Sequence, residues 1–202
     1  MAVIMTPSKF EQTCLHEAAH IVSLKLFEDN LHDSAAWVDD SAQGRAGVLG
    51  NVRFEATSKD PEFASFAQRI IDIAPLAAFH ACYDPNMDEF SEFLNRWEYG
   101  CMGDLKNWRS RAISRLNSAP RHGWSCADGS LPELKSNTMA MGIFFNEDME
   151  FASQYVTNNQ LIIREVANAL GFNLTLNHEQ ILDFLSRVKI PMNVRIAYLM
   201  GR

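Results

Sequence analysis

Five consecutive residues, His16-Glu17-Ala18-Ala19-His20, constrain this chain more than any other feature. The segment around them reads as helix. Leu15, Ala18, Ala19, Val22 and Leu26 recur at helical spacing and form an apolar face. Two start signals precede them. Thr6-Pro7 offers a cap followed by proline at the first helical position, and Ser8 with Glu11 has the spacing of a capping box. The expected helix runs from about Pro7 to Phe27. On such a helix, residues four apart lie on one face, one turn above each other. Two neutral imidazoles so placed can bind one Zn²⁺, and a glutamate between them can take a proton from a water that the metal activates. The spacing points to the chemistry of a zinc peptidase.

Composition narrows the class. A chain of 202 residues fits one domain, or one domain with a small subdomain, and 47% hydrophobic residues can build a sizeable core. The net charge is -7 with no basic stripe, which argues against nucleic-acid binding. No apolar run approaches the roughly 18 residues of a membrane span. The opening MAVIMTPSKF lacks the basic start and long apolar region of a secretory signal. Cys14, Cys82, Cys101 and Cys126 are scattered with no CxxC pair, so the expectation is a cytoplasmic chain with reduced thiols.

Further along, Ala35–Asp39 and Ala46–Phe54 read as the strands of a hairpin, with a turn at Gly44. Gly47 and Gly50 suit an edge strand better than a central one. Residues 60–83 read as a helix with Phe63, Phe66, Ile70 and Ile73 on its buried face, and Pro75 should kink or divide it. Residues 84–99 are acidic and aromatic and read as a loop with a short helix. Gly103 precedes a helix that carries Leu105, Trp108, Ile113 and Leu116 on one side. A Gly- and Pro-containing loop over 118–133 holds His122, Trp124 and Cys126. One helix is expected over about 148–170 with Gly171 as its stop, and another from Asn177 with Gln180 in capping-box position. His80, within LAAFHACY, reads as a packed core histidine; His32 and His178 read as surface residues.

A hydrolytic zinc takes three protein ligands and leaves a position for water. IVSLKLFED, the stretch after His20, offers no third histidine. By chemistry alone His80, Asp72, Glu98 and Asp104 all remain possible.

Several segments together resemble the zinc peptidase domain of the FtsH-type AAA proteases. They are TCLHEAAHIVSLKLF, a hairpin carrying GRAGVLG, APLAAFHA from Ala74 to Ala81, Gly103-Asp104-Leu105, and VTNNQLIIREVANALGFNLTLNHEQILDFL. The resemblance spans roughly residues 8–186, and Ala19 stands where that family has glycine. It implies Asp104 as the third ligand beside His16 and His20, with Glu17 as general base. It also implies a mainly α (α+β), zincin-like single domain over 1–202: the metal helix and hairpin over 6–56, the third-ligand region over 60–118, and C-terminal helices over 134–190. No Walker A pattern occurs in the chain, so the expectation is a peptidase unit without its own ATPase. Its substrates would be peptides, flexible segments or unfolded chains. An ATPase acting in trans is compatible with the sequence, and the oligomeric state is open. The edge strand around Gly47, Val48 and Leu49 has two readings: it binds extended peptide by strand addition, or it is a short hairpin that covers the core. The alternative is a peptidase-like binding or adaptor module that keeps the metal site with little turnover. Such a module would not need Glu17.

Overall fold

The computed structural model describes residues 8–39, 46–52, 60–82, 101–118 and 138–191. The expectations for Thr6-Pro7, the turn at Gly44, residues 84–99 with Glu98, and the loop with His122, Trp124 and Cys126 lie outside these residues.

Ser8 starts the first helix. Its hydroxyl accepts from the Glu11 N–H at 3.1 Å, and the Glu11 carboxylate accepts from the Ser8 N–H at 2.7 Å, closing a capping box. Helix α1 spans Lys9–Ser23 and then tightens into a 3₁₀ segment, Leu24–Asn30, where the sequence suggested α-helix to Phe27. The physical reason is a competing donor. The Tyr155 phenol donates to the Val22 carbonyl at 2.7 Å, the acceptor that the next α turn would use. The second half of α1 is buried nearly all round, with Ala18, Ile21 and Val22 fully enclosed. Ala19 is 1% exposed, packed tightly within this face of the helix.

Strands β1 (Leu31–Val38) and β2 (Ala46–Val52) form the expected antiparallel hairpin, with Ala35 opposite Leu49 and Trp37 opposite Gly47. β1 begins four residues earlier than its polar LHDS start suggests. Ser34 points inward there, 2% exposed, and its hydroxyl pairs with His178 Nδ1 at 2.9 Å. His178 is therefore half-buried and engaged, not a surface residue as expected. A two-residue strand, β3 (Thr175–Leu176), pairs with the other side of β1, giving the order β2-β1-β3. β2 is the edge strand that its glycines suggested, and it packs against α1.

Helix α2 runs Asp60–Cys82 as one element, with Pro75 inside it; the proline does not divide it. α3 spans Met102–Ser118 and α4 spans Thr138–Asn158. α5 spans Gln160–Asn173 and α6 spans His178–Ser186. The single helix expected over 148–170 is two, broken at Asn159. That buried amide donates to the carbonyls of Tyr155 and Lys189, both at 2.8 Å, and accepts from the Lys189 N–H at 2.8 Å. The chain then continues past Gly171 to Leu174, whose left-handed φ of 62° makes the turn into β3. The final helix starts at Asn177 with the expected Gln180 capping box.

α2 packs against α1, α3 and α4, burying Phe66, Ile70, Ile73 and Phe79. Complete burial stabilises each such side chain by about 1.5–3 kcal/mol. Within this apolar packing lies one charged knot. Asp148, with no exposed surface, accepts from Arg69 Nε at 2.6 Å, Arg69 Nη2 at 3.2 Å and Trp108 Nε1 at 3.0 Å. It joins α2, α3 and α4. The described fold is thus mainly helical with a small antiparallel sheet. Among the described residues no helix is long and apolar enough to cross a membrane.

Candidate metal centre

The core buries most of α1 but leaves one stripe partly open. His16 and His20, four residues apart on that stripe, are 17% and 14% exposed. Their Nε2 atoms are 3.2 Å apart. Into the same point comes Asp104, the third residue of α3 and 21% exposed. Its Oδ2 is 3.0 Å from His16 Nε2 and 3.6 Å from His20 Nε2. Asp104 thus converges with both histidines from 84 residues further along the chain than His20.

These distances test whether an ion fits. A tetrahedral ion bonded at about 2.0–2.1 Å has ligand-to-ligand edges of about 3.3–3.4 Å. The three edges here, 3.0, 3.2 and 3.6 Å, scatter about that value. Cys101, 1% exposed, adds a thiol to the neighbourhood, its Sγ 3.7 Å from His16 Nδ1. His16, Cys101 and Asp104 offer donor atoms within 4.8 Å of one another, so a His/Cys/Asp group here can hold a metal ion. The two nitrogens of an imidazole point to opposite sides of the ring. The thiol on the Nδ1 side therefore lies behind His16, while Nε2 faces Asp104.

His20 is oriented from behind as well. Its Nδ1 lies 3.0 Å from the Ile71 carbonyl oxygen. A carbonyl only accepts, so Nδ1 carries the proton and donates it, which leaves the Nε2 lone pair for the shared point. Burial opposes charge on His20, but its bond to the Asp104 carboxylate, with Glu17 and Ile71 adding to it, raises its pKa above the ordinary value. Burial likewise opposes charge on Asp104, yet the bonds from His16 and His20 hold its carboxyl well below the usual carboxylate range.

Glu17 follows His16 on α1 and is 7% exposed. Burial pushes its carboxyl up; His20 and His16 pull it down, and Asp104 pushes it up again, for a net rise. Among the described residues no hydrogen bond engages this carboxylate.

Of the other ligand candidates, His80 is exposed in the last turn of α2, edge-on to Phe79, and is not the packed core histidine expected. Asp72 is buried and accepts from Arg111 Nε at 2.9 Å. Burial, opposed by Arg111, pushes Asp72 up to about 6. Gly47, Val48 and Leu49 lie on β2, paired through β1 with Trp37, Ala36 and Ala35. The groups missed by sequence reasoning are the Cys101 thiol and the Ile71 carbonyl. Cys101 was within reach of the pattern, three residues before Asp104 at the start of the same helix. The carbonyl had no side-chain signature. In comparison with known proteins, no family model matches the chain and no curated sequence matches it.

Proposed function

We infer that this chain is a zinc-dependent metallopeptidase with the zincin-like organisation of FtsH-type peptidase domains, cleaving flexible or unfolded polypeptides. The observation that carries the reading is the convergence of His16 Nε2, His20 Nε2 and Asp104 Oδ2 within 3.0–3.6 Å of one another. These three residues would hold the metal. Bound zinc would supply Lewis acidity, polarising the scissile carbonyl and bringing water into the nucleophilic range near neutral pH.

The remaining work falls to the chain itself. Glu17 takes the proton of the attacking water on a carboxylate oxygen and passes it to the departing amine nitrogen. Its desolvated position supports that role, because a base serves best with a pKa close to the working pH. The Ile71 carbonyl keeps His20 in one tautomer and orientation. Gly47, Val48 and Leu49, on the edge strand beside α1, offer backbone groups to which an extended peptide adds as a further strand. Main-chain pairing of that kind tolerates many sequences, which suits unfolded substrates.

The test has two stages. Elemental analysis of wild type, His16→Ala and Asp104→Ala should give one zinc per chain, lost in His16→Ala and weakened in Asp104→Ala. Cleavage of an unfolded protein such as reduced casein should then vanish in Glu17→Gln while zinc content stays. No zinc in wild type after incubation with Zn²⁺ refutes the reading. Zinc without cleavage leaves the binding-module alternative.

A further inference from the structure

Pro75 sits inside α2, where it removes a backbone donor. In an α-helix the N–H of residue i donates to the carbonyl of residue i−4. The carbonyl deprived by Pro75 is therefore that of Ile71. A proline ring also crowds the i−4 carbonyl and tilts it away from the helix axis. Ile71 is the residue whose carbonyl oxygen lies 3.0 Å from His20 Nδ1. Both facts concern one atom, and they meet across the packed α1–α2 interface. Pro75 is itself buried. Its place in the sequence is costly on propensity alone, because proline is the least favourable residue in a helix interior.

We propose that Pro75 is a positioning residue for the metal site inferred above: by leaving the Ile71 carbonyl without its intrahelical donor, it hands that acceptor to His20. A carbonyl already closed in the helix ladder points along the helix axis and has one lone pair left for a second donor. One released by proline presents a full lone pair to the imidazole. The released bond fixes His20 with Nδ1 protonated, and Nε2 then faces His16 and Asp104 with its lone pair free. The helix defect in α2 and the ligand geometry on α1 are thus one device.

The experiment titrates the full chain with Zn²⁺ in competition with a chromophoric chelator, for wild type, Pro75→Ala and Leu76→Ala. Urea midpoints of the metal-free proteins are measured alongside. An alanine at 75 restores the N–H to Ile71. Leu76 is a half-buried neighbour on the same helix whose loss disturbs packing but leaves that carbonyl alone. Pro75→Ala is expected to weaken zinc binding about tenfold, the lower end for loss of a partner behind a metal ligand. Its urea midpoint should fall no further than that of Leu76→Ala, which should bind zinc as wild type does. Wild-type affinity in Pro75→Ala overturns the proposal and leaves the metal site standing, as does an equal loss of affinity in Leu76→Ala. A wild type that binds no zinc overturns both. Should Pro75→Ala not fold, Pro75→Ser carries the same comparison, since any residue with an N–H refills the bond.

Discussion

Replacing Arg69 with methionine should be among the most damaging single changes in this protein, although it lies away from the ligands. Asp148 has no exposed surface and is held by three donors, two from the Arg69 guanidinium and one from the Trp108 indole. Arg69→Met keeps the length of the side chain and removes both guanidinium bonds. A buried carboxylate is left with a single N–H. Breaking a buried pair from one side costs about 3–5 kcal/mol, because the partner charge stays desolvated. Trp108→Phe keeps an aromatic ring against Phe145, 4.9 Å away, and removes only the indole bond, so about 1.5–3 kcal/mol is expected. The double change Arg69→Met/Asp148→Leu removes both charges and should be less damaging than Arg69→Met alone. Urea unfolding followed by circular dichroism reads all of these. With a slope of about 2 kcal/mol per molar, the Arg69→Met midpoint should fall by about 2 M. A loss under about 1 kcal/mol, or a double variant as unstable as the sum of its singles, would show that the knot does not work as a desolvated ion pair.

Asn159→Ala removes three hydrogen bonds from a buried position and leaves Lys189 backbone groups unpaired; a loss of about 1–3 kcal/mol is expected by the same unfolding assay. Asp72, pushed by burial up to about 6 from an ordinary value near 3.8, binds its proton more tightly folded than unfolded. Its contribution to stability is therefore full below about pH 4 and lost as the pH rises through 6. In chelator-treated protein, Asp72→Asn should flatten this fall, worth up to about 3 kcal/mol, and an unchanged pH profile would contradict it. Cys14 is buried and its thiol is pushed up to about 11, chiefly by burial; Cys82 is raised by burial too. Mass spectrometry after native treatment with a thiol reagent at pH 8 should find both unmodified, and both labelled in urea. Finally, zinc at the proposed site would compete with protons for His20, whose pKa lies above the ordinary value because its contact with Asp104 outweighs burial. Calorimetry in two buffers of different ionisation enthalpy should show proton release on binding, with affinity rising with pH; binding without proton release would refute the arrangement.

The parts legible in the sequence are those encoded at short range. The HEAAH face, the Ser8 and Asn177 capping boxes and the hairpin each depend on residues within one element or across one turn. Asp104 was legible only through resemblance, since nothing local separates it from Asp72, Glu98 or His80 as a donor. The illegible parts are set by distant partners. Tyr155 ends α1 from 133 residues away, and Asn159 breaks its helix to bind a strand of backbone 30 residues on. β1 starts early because His178 satisfies an inward Ser34 across 144 residues. Pro75 was read by its local rule, as a kink or a division; the packed helix is not divided there, and the Ile71 carbonyl four residues earlier meets a donor on α1.

Two of the three proposed ligand atoms ride on α1, whose second half is buried in the core, so their positions are set by packing that cannot shift without opening cavities. Asp104, 21% exposed, lies in the first turn of α3. What steadies it is one turn further on. Trp108, four residues after Asp104 and 5% exposed, is bonded to Asp148, which Arg69 ties to α2. Ile71, two residues beyond Arg69, presents its carbonyl to His20. A metal site tolerates errors of only about 0.5 Å in its donors. The buried charged knot therefore links both ends of the site to one rigid segment of α2. That is a physical reason for a core to keep an ion pair where apolar side chains would often stabilise it as well.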